Sequence, residues 1–255
     1  MTLARSLALA RNDLRIVSRD SFPLVLLVIV PLVGMVFMRS AFRSTLIAEG
    51  VPHANGAEQA VPGMLVTCGL LLVSYVCHGF YREHAWRTWE RLRASPATTA
   101  EIMAGKVVGS LVLAGIQLVL VFGLGSVLMG LDVRGSWADV VLVGAAFGLF
   151  VVAAGLAVTA VCRTVMQANA IAYLGTLLLS CLGGALVPTT LLPPWAHAIG
   201  PAVPSWWAMR GYRAAILGGT GRALTSAAVL CGWALALTLV AAWRLRFDET
   251  KTGFA

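Results

Sequence analysis

Six long apolar runs, separated by short polar stretches, make up the hydrophobic pattern of this sequence. A helix needs roughly 20 mostly apolar residues to cross the hydrocarbon core of a bilayer, and each run approaches or exceeds that length. The runs cover residues 22–38, 62–81, 107–129, 140–162, 168–187 and 224–243. They predict an all-α integral membrane protein with six transmembrane helices. No small-residue cleavage site follows the first run, so we read it as a span and not as a removed signal peptide.

Composition agrees with a chain embedded in lipid. Of the 255 residues, 59% are hydrophobic and 12% are charged, whereas a soluble domain carries about 25% charged residues. The net charge of +8 raises the question of a nucleic-acid partner. We reject that partner because the basic residues form short clusters between apolar runs and no extended stripe. The five cysteines fall in or beside the spans without metal-ligand spacing, so we predict packing roles and no metal site.

The distribution of Lys and Arg predicts the orientation of the chain, because cytoplasmic loops are enriched in both. With the N-terminus inside, 13 of the 19 basic residues are cytoplasmic and 6 are external. We therefore expect a multi-pass membrane protein with both termini in the cytoplasm.

Three polar segments stand out within one predicted transmembrane domain of residues 1–255. Residues 1–20 show helical spacing of leucines with interleaved arginines, which predicts an amphipathic interfacial helix or, alternatively, a solvated arm. Residues 82–104 form a charged cytoplasmic loop with two tryptophans, which is either a docking element or an ordinary positive loop. Residues 188–221 hold several prolines and tryptophans. We expect short re-entrant helices there that form an outer gate or only an interfacial anchor.

Motifs in these segments carry a family resemblance. Those around the second and third spans are Pro62-Gly63-Met64, Arg82-Glu83, Thr88-Trp89-Glu90-Arg91-Leu92-Arg93-Ala94-Ser95-Pro96 and Glu101-Ile102-Met103-Ala104-Gly105-Lys106. Those before the last span are Leu192-Pro193-Pro194-Trp195, Pro204-Ser205-Trp206-Trp207 and Arg213-Ala214-Ala215-Ile216-Leu217-Gly218-Gly219. The chain resembles the permease subunit of type-2 ABC exporters, of the drug or antibiotic exporter kind, over nearly its whole length. It departs from that family at Arg87, where the loop usually has Gly, and in an acid-poor loop start.

The resemblance implies a transporter subunit that is not itself an enzyme. A P-loop needs G-x-x-x-x-G-K-[ST], but Gly105-Lys106 is followed by Val107 and Ala100 stands where the first Gly would be. The resemblance therefore places ATP and Mg²⁺ on two partner ABC ATPase subunits and no cofactor in this chain. It also implies a second permease subunit, identical or homologous, surrounded by membrane lipid. The loop after the second span becomes a coupling helix, whose expected ATPase contacts are Glu83, His84, Arg87, Glu90, Arg91 and Arg93.

The resemblance also places a substrate pathway between the second and fifth spans. Intramembrane polar residues are candidates for function. Polar or aromatic candidates on these two spans include Thr67, Ser74, Tyr75, Asn169, Tyr173, Thr176 and Ser180. The alternative for each is a local hydrogen bond to a neighbouring helix, and Gln117 in the third span poses the same choice.

Two other functions stay open in the sequence. A non-translocating membrane anchor or immunity subunit of an ATPase complex would share the spans and the loop. An intramembrane Ser–His hydrolase would need both side chains at one depth. His78 and Ser126 are predicted at opposite faces of the membrane, which argues against the hydrolase and against any catalytic residue.

Overall fold

The computed structural model describes residues 25–48, 55–85 and 99–244 of the chain. These residues form helices joined by short turns and no strand. A π-helical turn over Val25–Ile29 leads into α1, Val30–Ala48. The remaining helices are α2 (Ala57–Ala85), α3 (Thr99–Met129), α4 (Trp137–Val161), α5 (Val165–Leu182), α6 (Pro194–Ile199), α7 (Pro204–Leu217) and α8 (Thr220–Arg244).

Six of these helices, α1 to α5 and α8, are long and apolar enough to cross a membrane. The predicted all-α architecture with six spans is therefore confirmed within the described residues. The predicted interfacial helix over residues 1–20 and the centre of the charged loop, residues 86–98, lie outside them.

Several span boundaries differ from the sequence prediction. The first span was expected at residues 22–38, whereas α1 continues to Ala48. Its polar second half includes Arg39 and Arg43, so hydropathy alone stopped the span too early. The fifth span was expected to reach Val187 but ends at Leu182, where Gly183 and Gly184 begin a turn. Pro31 lies in the first turn of α1, directly after the π-helical turn.

The helices alternate in direction, so the bundle has two ends. We call the end at which α2 finishes and α3 begins the loop end, and the opposite end, which holds α6 and α7, the distal end. At the distal end Asn55 joins three helices: its Oδ1 accepts from the Ala57 N–H (2.8 Å) and its Nδ2 donates to the Gly130 carbonyl (2.7 Å). Arg39 of α1 donates to the Asn55 carbonyl (3.2 Å).

The helices α4 and α5 each begin at an N-cap residue with a hydroxyl side chain. Ser136 accepts from the Ala138 N–H and starts α4, and Thr164 accepts from the Gln167 N–H and starts α5. Such caps satisfy N–H groups that the first helical turn leaves open. α7 ends at Gly218, whose φ of +93° is a left-handed conformation that glycine adopts without strain.

Two helices form the centre of the bundle. Within their most apolar stretches, 83% of the residues of α2 and 67% of those of α4 are buried, against 22–28% for the other four spans. α2 packs against α1, α3, α4, α5 and α7, and α8 packs along α4. The outer four helices expose Phe37, Val119, Met166 and Leu239, an apolar surface that suits contact with lipid.

Close contact between α2 and α4 depends on glycine. A Cβ on Gly155 of α4 would lie 2.6 Å from the Cβ of Val76 on α2, and a Cβ on Gly69 of α2 would lie 2.6 Å from the Phe147 ring. Small residues bring helix backbones together in membranes, where van der Waals packing drives association. This packing sets the position of α2 relative to its neighbours.

Candidate functional site: a polar seam between α2 and α5

A hydrogen bond between hydroxyl and amide side chains joins α2 to α5. Ser74 Oγ donates to Asn169 Oδ1 at 2.7 Å, although the two residues are 95 positions apart in the chain. His78, one turn along α2, places its Nδ1 2.8 Å from the Ser74 carbonyl oxygen. Because a carbonyl can only accept, this contact assigns the proton to Nδ1. These three side chains form the centre of what we call the α2–α5 seam.

The seam continues toward the distal end through the other predicted hydroxyls. Thr67 lies seven residues before Ser74 on α2, and Thr176 lies seven residues after Asn169 on α5. A spacing of two helical turns keeps side chains on one face, and the helices run in opposite directions, so both residues extend the seam toward the distal end. Ser180 follows one turn later. The hydroxyl oxygens of Thr67, Thr176 and Ser180 are buried and have no hydrogen-bond partner among the described residues.

The two aromatic candidates occupy different positions. Tyr75 is half-buried against the central core. Tyr173 is 49% exposed and lies on a helix that is mostly uncovered, so its ring faces the open side of α5. The prediction that these residues serve a pathway stays a prediction; the structure brings Ser74 and Asn169 into contact and leaves Tyr173 open to a partner or to lipid.

Further polar groups are buried outside the seam. Gln117 of α3 is 1% exposed and its Nε2 has no partner among the described residues. It lines a small cavity that also borders Gly69, Phe147 and Tyr212. The Tyr212 hydroxyl is likewise buried without a described partner. Nothing in the local pattern around Tyr212 predicts that a tyrosine in this outer segment becomes fully buried.

The loop end is held by two contacts to α2. Lys106 of α3 is 6% exposed, and its Nζ donates to the Gly79 carbonyl at 2.7 Å. The Tyr81 hydroxyl donates to the Cys162 carbonyl at 2.9 Å, at the junction of α4 and α5. Together these bonds connect the end of α2 to three neighbouring helices.

The predicted coupling residues begin at this loop end. Glu83 and His84 lie in the last turn of α2, and nothing further is described of their side chains. Arg87, Glu90, Arg91 and Arg93 lie outside the described residues. Of the predicted 82–104 segment the structure describes only the two ends, where α2 continues to Ala85 and α3 begins at Thr99.

Comparison with known proteins decides the family. A family model described as ABC-2 type transporter matches residues 6–217, which include α1 to α7 and the charged loop. The chain belongs to this family. ABC-2 type transporters were the group that its loop and outer motifs resembled, so that recognition is confirmed.

Two curated relatives agree with the family match. Both are described as "Probable multidrug ABC transporter permease YbhR", one from Escherichia coli strain K12 and one from Escherichia coli O157:H7. Each is 29% identical over 167 residues, which cover 58% of this chain and 45% of the relative. The chain thus spans less than half the length of the curated relatives it matches. With six apolar helices, this ABC-2 family member is a multi-pass membrane protein.

The geometry gives the hydrolase alternative no support. Ser74 Oγ lies 3.4 Å from His78 Nδ1, but that nitrogen donates to the Ser74 carbonyl and the Ser74 hydroxyl donates to Asn169. His78 Nδ1 is therefore a donor here and does not act as a base toward this serine. Ser126 lies near the distal end of α3, far along the bundle from His78. Among the described residues, no group of three or more His, Cys, Asp or Glu side chains could hold a metal ion.

Proposed function

We propose that this chain is the membrane-spanning subunit of an ATP-driven ABC exporter, with both termini in the cytoplasm of a bacterial cell. The observation that carries the proposal is the family match over residues 6–217. In this proposal two permease subunits, identical or homologous, enclose the pathway, and two separate ATPase subunits bind ATP and Mg²⁺. Residues 1–255 act as one permease domain with an interfacial helix (1–20), a coupling loop (82–104) and an external re-entrant segment (188–221).

The position of α2 supports a mechanical link from the loop to the pathway. Force applied by an ATPase at Glu83–Arg93 would reach the end of α2, which is the most buried span and contacts five other helices. Lys106 and Tyr81 tie that end to α3 and to the α4–α5 junction. Movement of the loop would therefore change the α2–α5 seam rather than only the loop itself.

Transport in this scheme is a shift between two arrangements of the helices. ATP binding favours one arrangement, and a substrate contributes only through its different affinity for the two. The hydroxyls of Thr67, Thr176 and Ser180 would contact substrate along the seam. Tyr173, on the open side of α5, would face the second permease. The multidrug description of the relatives supports an amphiphilic, drug-like substrate.

The direct test measures ATP hydrolysis in liposomes. The subunit purified alone should show no turnover, and the complex with its co-purifying ATPase should show hydrolysis that rises with a transported drug. Turnover by the pure subunit would contradict the absence of a nucleotide site. Basal hydrolysis that no drug stimulates, together with no drug movement into vesicles, would favour the anchor or immunity subunit instead.

The docking role of the loop has its own variants. Glu83→Ala with Arg91→Ala should reduce the amount of ATPase that co-purifies, because it removes two charged groups from the proposed contact. Arg134→Ala, which changes an exposed charge at the distal end, is the matched control and should leave co-purification unchanged. Equal recovery of the ATPase with the wild type, the double variant and the control variant would reject the docking role of the loop.

A further inference from the structure

A cavity of about 510 Å³ opens at the distal end of the bundle. Its wall combines the start of α2, the turn after α5, the length of α7 and the start of α8. The side chains that matter for its chemistry are Gln59, Trp206, Arg210, Arg213, Leu217 and Arg222. The cavity lies at the opposite end of the bundle from the coupling loop, and the α2–α5 seam does not include its lining.

The cavity is strongly basic. Three arginines line it, and none of the described residues that line it is acidic. Arg210 and Arg222 are exposed and make no ion pair with a carboxylate in the described part of the chain. The guanidinium forks of arginine match the oxygens of phosphate and carboxylate groups. The uncompensated forks of Arg210 and Arg222 at one cavity therefore favour an anionic ligand.

Aromatic contacts hold one of these arginines in place. The guanidinium carbon of Arg210 lies 5.0 Å from the centre of the Trp206 ring and 5.5 Å from that of Trp207. The two rings pack edge to face, and Trp207 Nε1 donates to the Pro201 carbonyl at 2.8 Å. Cation–π contact orders the side chain before any ligand arrives, which lowers the entropic cost of binding.

A buried amide supplies a second, independent sign of a ligand. Gln59 is 4% exposed, and its Nε2 donates to the Gly184 carbonyl at 2.7 Å. That bond determines which amide atom is oxygen, and the oxygen Oε1 has no partner among the described residues. A buried acceptor without a donor is costly. A hydroxyl group on a ligand in the cavity would satisfy it.

The surroundings point to a lipid rather than a small ion. Tryptophan side chains concentrate at the headgroup level of membranes, and Trp206 lies in the cavity wall beside the apolar Met209 and Leu217. Leu217 is itself exposed. A ligand that follows this wall has an anionic, hydroxyl-bearing head and apolar chains.

We propose that the distal cavity binds the headgroup of an anionic phospholipid of the phosphatidylglycerol class. The phosphate lies between Arg210 and Arg222, with Arg213 beside it, and a glycerol hydroxyl donates to Gln59 Oε1. The bound lipid bridges α2, α7 and α8 at the distal end. This site is independent of ATP coupling and of the identity of the exported substrate.

Native mass spectrometry of the detergent-purified protein tests the site. The protein is titrated with dioleoyl phosphatidylglycerol and, separately, with dioleoyl phosphatidylcholine. We expect the first lipid to bind about tenfold more tightly, because only its headgroup combines a net negative charge with hydroxyls. The double variant Arg210→Gln/Arg222→Gln should lose that preference. Arg134→Gln, an exposed arginine of the same end that pairs with Asp132 outside the cavity, should retain it.

A second double variant and a competition with inorganic phosphate complete the test. Arg210→Lys/Arg222→Lys keeps the charge and loses the forked geometry, so it should bind phosphatidylglycerol with a reduced but measurable preference, even if the glutamine variant is unstable. Millimolar inorganic phosphate should not displace the lipid. Equal affinity for the two lipids, an equal loss in Arg134→Gln, or displacement by inorganic phosphate would overturn the assignment to a lipid headgroup.

Discussion

At the residue scale, the contact that bears most directly on the proposed pathway is the bond from Ser74 to Asn169. It places two of the predicted pathway residues against each other and orients the amide of Asn169. Interhelical hydrogen bonds in membranes contribute only about 0.6 kcal/mol on average. The bond is thus too weak to hold the helices together alone, and its position in the seam matters more than its strength.

The variant Ser74→Ala distinguishes a role of this residue in helix packing from a role in the substrate pathway. The variant should unfold within a few degrees of the wild type in a detergent melting assay, because about 0.6 kcal/mol is lost. If the seam is the pathway, the drug concentration that half-maximally stimulates ATP hydrolysis should change severalfold, since Asn169 Oδ1 is freed. Thr225→Ala is the control, because Thr225 is exposed and bonds within its own helix. An unchanged drug response in Ser74→Ala would leave this residue with a packing role only.

At the element scale, the central pair α2 and α4 depends on glycine at the contact. Many of the apolar runs in the sequence contain glycine. Only the packed structure shows which of these glycines lie against another helix. Gly155 faces Val76 closely, whereas a Cβ on Gly232 of α8 would have no atom of the described residues within 4 Å. The two positions therefore make a matched pair in helices of similar length and hydropathy.

Gly155→Leu should destabilise the protein by about 1–3 kcal/mol, the usual cost of forcing extra volume into a packed interface. Gly232→Leu should have little effect, because its side chain would point into lipid. Melting temperature by fluorescence-detected size exclusion and the yield of monodisperse protein measure both. Equal stability of the two variants would show that the α2–α4 contact is looser than described.

At the scale of the whole molecule, the distribution of Lys and Arg predicts how the bundle is oriented in the membrane. The excess of Lys and Arg on one side predicts that the loop end is cytoplasmic. The distal end, with α6 and α7, is then external, and the proposed lipid would belong to the outer leaflet.

Cysteine labelling checks that direction. In a background with Cys231→Ala, which removes the exposed native thiol, Ala94→Cys should react with a membrane-impermeant maleimide only after the cells are opened. Ala198→Cys, on the exposed side of α6, should react in intact cells. The reverse pattern would invert the topology and would move the ATPase contact to the other end of the chain.

The sequence by itself determined the number of spans, the helical class and the family. Apolar length is a local property, so six runs of about 20 residues were enough to place six helices. The motifs around Thr88–Pro96 and Pro204–Trp207 were local as well. Span ends were less accurate, as the first and fifth spans show, because a helix continues through polar residues such as Arg39 when neighbouring groups bond to them.

Only the tertiary structure decided which residues meet. Ser74 contacts Asn169, and Gln59 reaches Gly184, across chain separations that no local pattern encodes. The burial of α2 and α4, the orphaned hydroxyls of the seam and the basic distal cavity all arise from packing between distant segments. Membrane spans look alike in hydropathy whether they face lipid or protein, since both surroundings are apolar. Which face meets which neighbour is therefore settled by shape and by a few polar contacts.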